Sequence, residues 1–347
     1  MYNRRTFLAR SAGMVGGMTL VSSVPLLTSC GDDDSSADGA TGTVGTQFNW
    51  VPDIEWSAWY LAESKGYFTN HGVTSVLGHG GPNTPAVVQI LATGDGDVGL
   101  SASELDIIRA NAEGSDFVVF AAMYQRNPLG LTWLTETGIS TVEDLVGKRI
   151  GGPQGDQVQI DAMFKANGLA ADYEFVPMGF DPQPLVDGEM DAIASYVTNQ
   201  PIQLELQGHD VSAAPYSDFG LPSYGDILFA SKAWIDDNRD LVVNYLAGLL
   251  EGVADNRADP SEAVGVLVDT YGSEAEINEE YAIAANPAYI ALMDSDFTDA
   301  NGLLSVDPEK MANEVLPALE TAGETGLPSA DEFLDTSLLE DAQAMMA

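Results

Sequence analysis

The sequence predicts an α/β protein on mostly parallel sheets, and three observations predict it. Stretches that read as strands alternate with stretches that read as helices between about residues 48 and 230. Two short patterns occur twice in that region. Gly80-Gly81-Pro82-Asn83 is echoed by Gly151-Gly152-Pro153-Gln154, and L-x-x-G-[DE]-x-D-[VA] runs over 91–98 and again over 185–192, as two similar α/β lobes would give. The chain has 347 residues, 45% of them hydrophobic, enough for one oversized domain or two medium ones.

The elements follow in order. Phe48 to Val51 reads as a first strand. Trp56 to Lys65 reads as a helix closed by Gly66, with Trp56, Trp59 and Tyr60 on one face and Glu63 and Lys65 toward water. Val73 to Leu77 is a strand, Pro85 to Ala92 a helix, Val98 to Ser101 a strand, Glu104 to Ala112 a helix, and Phe117 to Met123 and Leu129 to Leu134 strands. A second series opens at Ser140, where Ser140 and Glu143 have capping-box spacing. It runs through a helix at Val142 to Val146, a strand at Arg149 to Gly151, a helix at Gln157 to Ala166 and a strand at Tyr173 to Val176. A strand at Ala192 to Tyr196 and a helix at Pro201 to Gln207 follow. Ile227 to Ala230 is a strand leading back. Helices dominate after it, at Ala233 to Asn256, Pro260 to Tyr271, Glu276 to Ala284 and Pro308 to Ala322.

The N-terminus indicates the compartment. Residues 1–30 contain no acid, so all 53 Asp and Glu lie beyond Cys30, the only cysteine. Arg4-Arg5 precedes a weakly apolar stretch, Ala12 to Leu27, which reads as a targeting segment. The paired arginines resemble a twin-arginine export signal. Leu27-Thr28-Ser29-Cys30-Gly31 resembles a bacterial lipobox, in which the cysteine thiol is lipidated and becomes the first mature residue. The expectation is an exported body held by lipid on the outer face of the cytoplasmic membrane. Residues 31–46, rich in Asp, Ser, Gly and Thr, are expected to be a flexible tether.

Lys and Arg number 13 against 53 acids, a net charge of −40. Such a surface repels phosphate backbones and anionic lipid, so nucleic acid is excluded as a partner. Tempting motifs fail on context. Gly94-Asp95-Gly96-Asp97-Val98-Gly99 matches G-x-G-x-x-G but follows a helix and opens a strand, the reverse of a dinucleotide site. His71, His79 and His209 are scattered, and no second cysteine exists to help build a zinc site. No G-x-S-x-G elbow occurs. No catalytic residue, metal or cofactor is expected.

Aromatic and amide side chains are the better signal. Three of five tryptophans, Trp50, Trp56 and Trp59, fall within ten residues, interleaved with Asp53 and Glu55. Trp59 reads as core. Trp50 and Trp56 lie near element ends and are candidates to reach a cleft. Asn83, Ser101, Tyr124, Gln154, Tyr196 and Asn199 stand at strand ends, at the carboxyl edge where open α/β sheets bind ligands. Asn83 and Gln154 have a purely structural reading as turn residues, and Ser103 one as an N-cap. As a set these residues describe a neutral, hydrogen-bonding, aromatic-lined cleft. Replacing Trp56 by Ala is expected to weaken binding and leave the fold intact. Arg109, Arg126, Lys148 and Arg149 are the cations nearest that cleft.

Asn49-Trp50-Val51-Pro52-Asp53, the run Trp59 to Phe68, and His71-Gly72-Val73 together resemble the opening of solute-binding proteins of the thiamine-pyrimidine-precursor and sulfonate superfamily. The Gly-Gly-Pro-Asn turn is similar to the riboflavin-binding branch. The resemblance covers about residues 47–230. It implies a two-lobed periplasmic-binding-protein fold of type II with a ligand cleft between lobe 1 (47–135 and 228–347) and lobe 2 (136–227). It also implies an importer receptor whose partners are an ABC permease and ATPase. The implied ligand is riboflavin or a pyrimidine thiamine precursor; the alternatives are a sulfonate or taurine-type solute, or a non-transport enzyme on the thiamine-pyrimidine-synthase fold. The fungal enzyme of that fold uses a cysteine-rich motif that this sequence lacks.

Overall fold

A computed structural model describes residues 41–272 and 277–346. Cys30 and the expected signal, with the tether up to residue 40, lie outside the described residues. Among these residues ten strands form two five-stranded sheets. The first has the order β2 (Val73–Gly78), β1 (Gly42–Gln47), β3 (Val98–Ser101), β10 (Gly225–Ser231), β4 (Phe117–Tyr124). The second has the order β7 (Glu174–Pro177), β6 (Arg149–Gly152), β8 (Ala192–Tyr196), β5 (Leu129–Leu134), β9 (Val211–Pro215). In each sheet two ladders are parallel and two antiparallel. Four strands of each sheet nevertheless run the same way, and the one reversed strand, β10 or β5, lies next to the edge.

The two sheets are copies of one topology, and the echo at 91–98 and 185–192 is its mark. The Gly94 and Gly188 backbones, at φ 75° and 71°, end the preceding turn in the left-handed region that glycine tolerates best. The aspartate that follows plays one role in both sheets. Asp97 Oδ2 accepts from the Gly45 amide of β1 at 2.8 Å, and the Asp97 amide donates back to the Gly45 carbonyl at 2.9 Å. Asp191 does the same with Arg149 of β6, at 2.8 and 2.9 Å. The Gly-Gly-Pro echo is different. One copy follows β2 and the other follows β6, positions that do not correspond, and the helix after the first copy starts only at Val87.

Three expectations are corrected here. β1 occupies Gly42–Gln47, so the last five residues of the expected tether are strand, and Phe48 to Val51 is the loop after it. This Gly/Thr-rich segment lies between β2 and β3, where ladders on both edges replace the apolar side chains that usually identify a strand. The expected lobe boundary at 135 is too late and the return at 228 also too late. β5 pairs with β8 and β9, and β10 starts at Gly225, so the chain crosses between Tyr124 and Leu129 and returns before Gly225. Asn127 ties the two crossings together: its amide donates to the Ala102 and Tyr224 carbonyls at 2.7 and 2.8 Å, and its side-chain oxygen accepts from the Leu129 amide at 2.9 Å. The capping box sits one residue on, at Thr141 and Asp144.

The main core lies between the first sheet and the helices Ser57–Ser64 and Lys232–Ala258. Trp59 belongs to it, donating to the Tyr245 hydroxyl at 2.6 Å. The two helices approach closely because Gly252 faces the first: a Cβ there would stand 2.1 Å from the Ala58 carbonyl oxygen. Backbone cannot step aside as a flexible side chain can. Gly252→Ala is therefore expected to cost about 1–3 kcal/mol through forced separation of the helices, read as a lower thermal midpoint. Among the described residues no helix is long and apolar enough to cross a membrane.

Candidate functional site

The site forms where the carboxyl edges of the two sheets meet. After β1 the chain turns through Asn49, Trp50 and Asp53. Asp53 caps a short helical turn by accepting from the Glu55 amide at 3.2 Å. This cap places Glu55 inside the protein, 5% exposed. Asp226 enters at the start of the reversed strand β10, beside the carboxyl end of β3, and is 1% exposed. Its φ is +46°, in the left-handed region, which is uncommon for a non-glycine residue. The two carboxyls lie against each other, and the side chains of Glu55 and Asn49 hydrogen-bond to Asp226.

Aromatic rings enclose these acids. Tyr124, at the end of β4, is stacked on Tyr289 at 5.7 Å, and its hydroxyl points at the Glu55 carbonyl at 3.4 Å. Tyr196, at the end of β8 in the second sheet, lies within the field of Glu55, Asp226, Asp156 and Asp106. Tyr281 donates to the Thr198 carbonyl, in the turn after β8, at 3.4 Å, while the Thr198 hydroxyl, buried, has no partner. Trp50 meets Phe180, in the loop after β7, edge-on at 5.0 Å, so an aromatic contact joins the two edges.

Burial governs the electrostatics. It pushes Asp226 up to about 7 and Asp53 up to about 6. It also raises Glu55, and the charges of Asp226 and Asp53 raise it further. Asp156 is likewise pushed up to about 6 by burial. Among the described residues no Lys or Arg acts on Glu55 or Asp226. The arginines expected near the cleft are engaged elsewhere: Arg126 with Asp218 at 2.6 Å, Arg149 with Asp191 at 3.3 Å, and Arg109 with Glu324.

Two cavities flank the acids. One, of about 790 Å³, is lined by Val51 to Ile54, His79, Gln203, Tyr271 and Tyr281 among others. Burial holds its His79 neutral, lowered to about 4, with the Tyr60 hydroxyl on Nε2 at 2.8 Å. The other, of about 140 Å³, is lined by Asn49, Gly81, Thr84 and Ser101 among others. Among the described residues no group of three or more His, Cys, Asp or Glu is placed to hold a metal ion.

The residues singled out from sequence separate into groups. Asp53, Tyr124 and Tyr196 lie around the acids, whereas Trp50 packs against Phe180. Ser101 lines the smaller cavity, but its hydroxyl donates to the Ser103 carbonyl at 3.0 Å. Asn199 precedes the helix Gln200–Leu206 and accepts from the Gln203 amide at 2.6 Å. Asn83 and Gln154 are exposed in their turns. Trp56 is corrected. It has no exposed surface, stacks on Phe48 at 4.5 Å and donates Nε1–H to the Val51 carbonyl at 3.0 Å, so it packs the core beneath the site. Asn49, Glu55, Thr198, Asp226 and Tyr289 were not singled out. For Asp226 the available signal was a lone acid opening the apolar run Ile227 to Ala230.

Two mixed sheets of matched topology, with a site where their carboxyl edges meet, define the periplasmic-binding-protein fold. The chain superposes on the periplasmic sulfonate-binding protein SsuA of Methylobacillus flagellatus with a TM-score of 0.61 at 17% identity, covering 88% of this chain and 95% of that one. It belongs to the NMT1/THI5-like family, whose model matches residues 54–263. It is 28% identical over 261 residues to the formylaminopyrimidine-binding protein of Halalkalibacterium halodurans, covering 72% of this chain and 77% of that protein. It is 27% identical over 223 residues to the riboflavin-binding protein RibY of Chloroflexus aurantiacus, covering 62% of each.

Proposed function

We propose that this protein is an extracytoplasmic receptor that captures a small aromatic heterocycle, riboflavin or a pyrimidine precursor of thiamine, between its two sheets. It is a binder and not a catalyst, and it delivers its solute to an ABC permease. The observation that carries the reading is the aromatic enclosure at the meeting edges, where Tyr124, Tyr196, Tyr281 and Tyr289 surround hydrogen-bonding groups with no cation acting on them among the described residues. Flat rings stack on such walls with about 0.5–1.5 kcal/mol beyond area burial. The names of the two sequence relatives support the same ligand classes. A sulfonate needs positive partners, and the nearby arginines are occupied. Separation of the sheets about the paired crossings at Asn127 would admit the solute, and closure would retain it. Lipid on Cys30 and the twin-arginine export signal complete the reading, placing the body outside the cytoplasmic membrane.

A thermal-shift panel with riboflavin, thiamine, formylaminopyrimidine and taurine tests it. A ligand at about 100 times its Kd adds roughly 2.7 kcal/mol, a rise of several degrees. One heterocycle is expected to shift the midpoint and taurine is not. Tyr196→Ala is expected to weaken that heterocycle about tenfold with little change in the ligand-free midpoint. A flat panel would sink the receptor assignment.

A further inference from the structure

We infer that the C-terminal stretch 292–322 is a third hinge element, in which Lys310 clamps both chain crossings to the first sheet and the turn Met311–Val315 bends when the two sheets part. The inference concerns the motion itself and does not depend on which solute is taken up.

The outward crossing leaves β4 through Gln125, which is 2% exposed. Each of its polar groups is held by this stretch. Its amide donates to the Leu292 carbonyl at 2.8 Å, and its side-chain nitrogen donates to the Ser305 carbonyl at 2.9 Å. Its side-chain oxygen accepts from the Ser295 hydroxyl at 3.3 Å, and its backbone carbonyl accepts from the Lys310 amine at 2.5 Å. The return crossing enters β10 through Tyr224, which is fully buried. The same Lys310 amine lies 4.2 Å from the centre of the Tyr224 ring, a cation over an aromatic face. The Tyr224 hydroxyl accepts from the Asp307 amide at 3.0 Å. One amine therefore holds both crossings. Glu104 adds a second hold on the return crossing, accepting from the Tyr224 amide at 2.7 Å and the Ser223 hydroxyl at 2.8 Å.

The backbone of the stretch is bent to make these contacts. Leu304 has a φ of +68°, a left-handed conformation unfavourable for a bulky side chain, while its carbonyl accepts from the Ala122 amide of β4 at 3.0 Å. Such conformations persist only where the surroundings over-determine them, and they gather in segments that switch.

Beyond Lys310 the chain reaches the second sheet. Pro308–Lys310, Met311–Val315 and Leu316–Ala322 follow one another as α-helix, π turn and α-helix, and the Leu316 amide donates to the Met311 carbonyl five residues back. Met311, Val315 and Leu316 pack into a core of the first sheet. Ala318 and Ala322 pack into the core of the second, where Leu316–Ala322 lies against the helix Gln157–Ala166. One helical run is thus rooted on both sheets. Rotation about the crossings must deform it, and the π turn is where its hydrogen-bond ladder is already interrupted.

The test is amide hydrogen exchange on the ligand-free full chain, comparing the parent with Lys310→Met and Tyr224→Phe. Met keeps the aliphatic stem and removes the amine. Phe keeps the ring and removes the hydroxyl that meets Asp307. In Lys310→Met, exchange at 126–129, 220–224 and 311–315 is expected to rise together by about tenfold or more, while β1, β3, β6 and β8 keep the parent's rates. Tyr224→Phe is expected to give a smaller rise in the same three segments, and it carries the test alone if Lys310→Met does not fold. A uniform rise in every strand would overturn the inference, because Lys310 would then serve general stability only. Unchanged exchange at either crossing, or an unchanged π turn while the crossings quicken, would overturn it as well. If the thermal-shift panel is flat and the three segments still respond, the receptor reading falls and the hinge assignment stands.

Discussion

Replacing Trp56 by Ala is expected to cost about 3–5 kcal/mol of stability, the range for removing a large aromatic from a packed core. Three contacts are lost at once. The indole is stacked on Phe48 at 4.5 Å, meets Trp59 at 6.2 Å and donates to the Val51 carbonyl at 3.0 Å. The first two hold the loop after β1 against the helix Ser57–Ser64. The third shapes the turn that carries Asp53 and Glu55. A fall in the thermal midpoint on the order of 10 °C is the expected reading. Solute affinity is expected to fall as well, through displacement of Glu55 and not through a lost ring contact. Trp56→Phe separates the two effects, because it keeps most of the stacking and loses only the indole donor. A midpoint equal to the parent's in Trp56→Ala would show that the core does not depend on this ring.

Trp56 also shows what the sequence made legible and what it did not. Clustered tryptophans lie beside the proposed site, Trp50 against Phe180 and Trp56 beneath the turn that carries Asp53. Which ring faces the ligand is a matter of rotation about the helix start, and composition has no access to that. The alternation of strands and helices was readable because each element carries its own periodicity. The fold's internal duplication was readable in one echo, because Asp97 and Asp191 bond to equivalent strand amides. The Gly-Gly-Pro echo misled, because similar turns arise wherever a strand leaves its sheet. β1 was hidden by its composition, since its ladders on both sides make apolar side chains unnecessary. The acid pair was hidden for a different reason. Glu55 and Asp226 are 171 positions apart, and among 53 acids nothing local distinguishes two that are buried.

Their burial has a consequence for stability against pH. Asp226 is raised from an ordinary value of 3.8 to about 7, and Asp53 and Asp156 to about 6, all chiefly by desolvation. Glu55 moves the same way. Between about pH 4 and pH 7 the folded chain therefore holds protons that the unfolded chain has released. Stability falls with rising pH wherever the folded state binds more protons, so the protein is expected to be firmest near the acid end of this window and to weaken toward neutrality. One pKa unit corresponds to about 1.4 kcal/mol, so the Asp226 rise alone sets a scale of roughly 4 kcal/mol across the window. Mutual repulsion among the surface acids acts in the same direction and is common to parent and variant, so the comparison removes it. Thermal midpoints measured from pH 4.5 to 8 are expected to decline more steeply in the parent than in Asp226→Asn, where Asn keeps the left-handed backbone accessible. Parallel curves would mean that Asp226 ionises as freely in the folded protein as in the unfolded one.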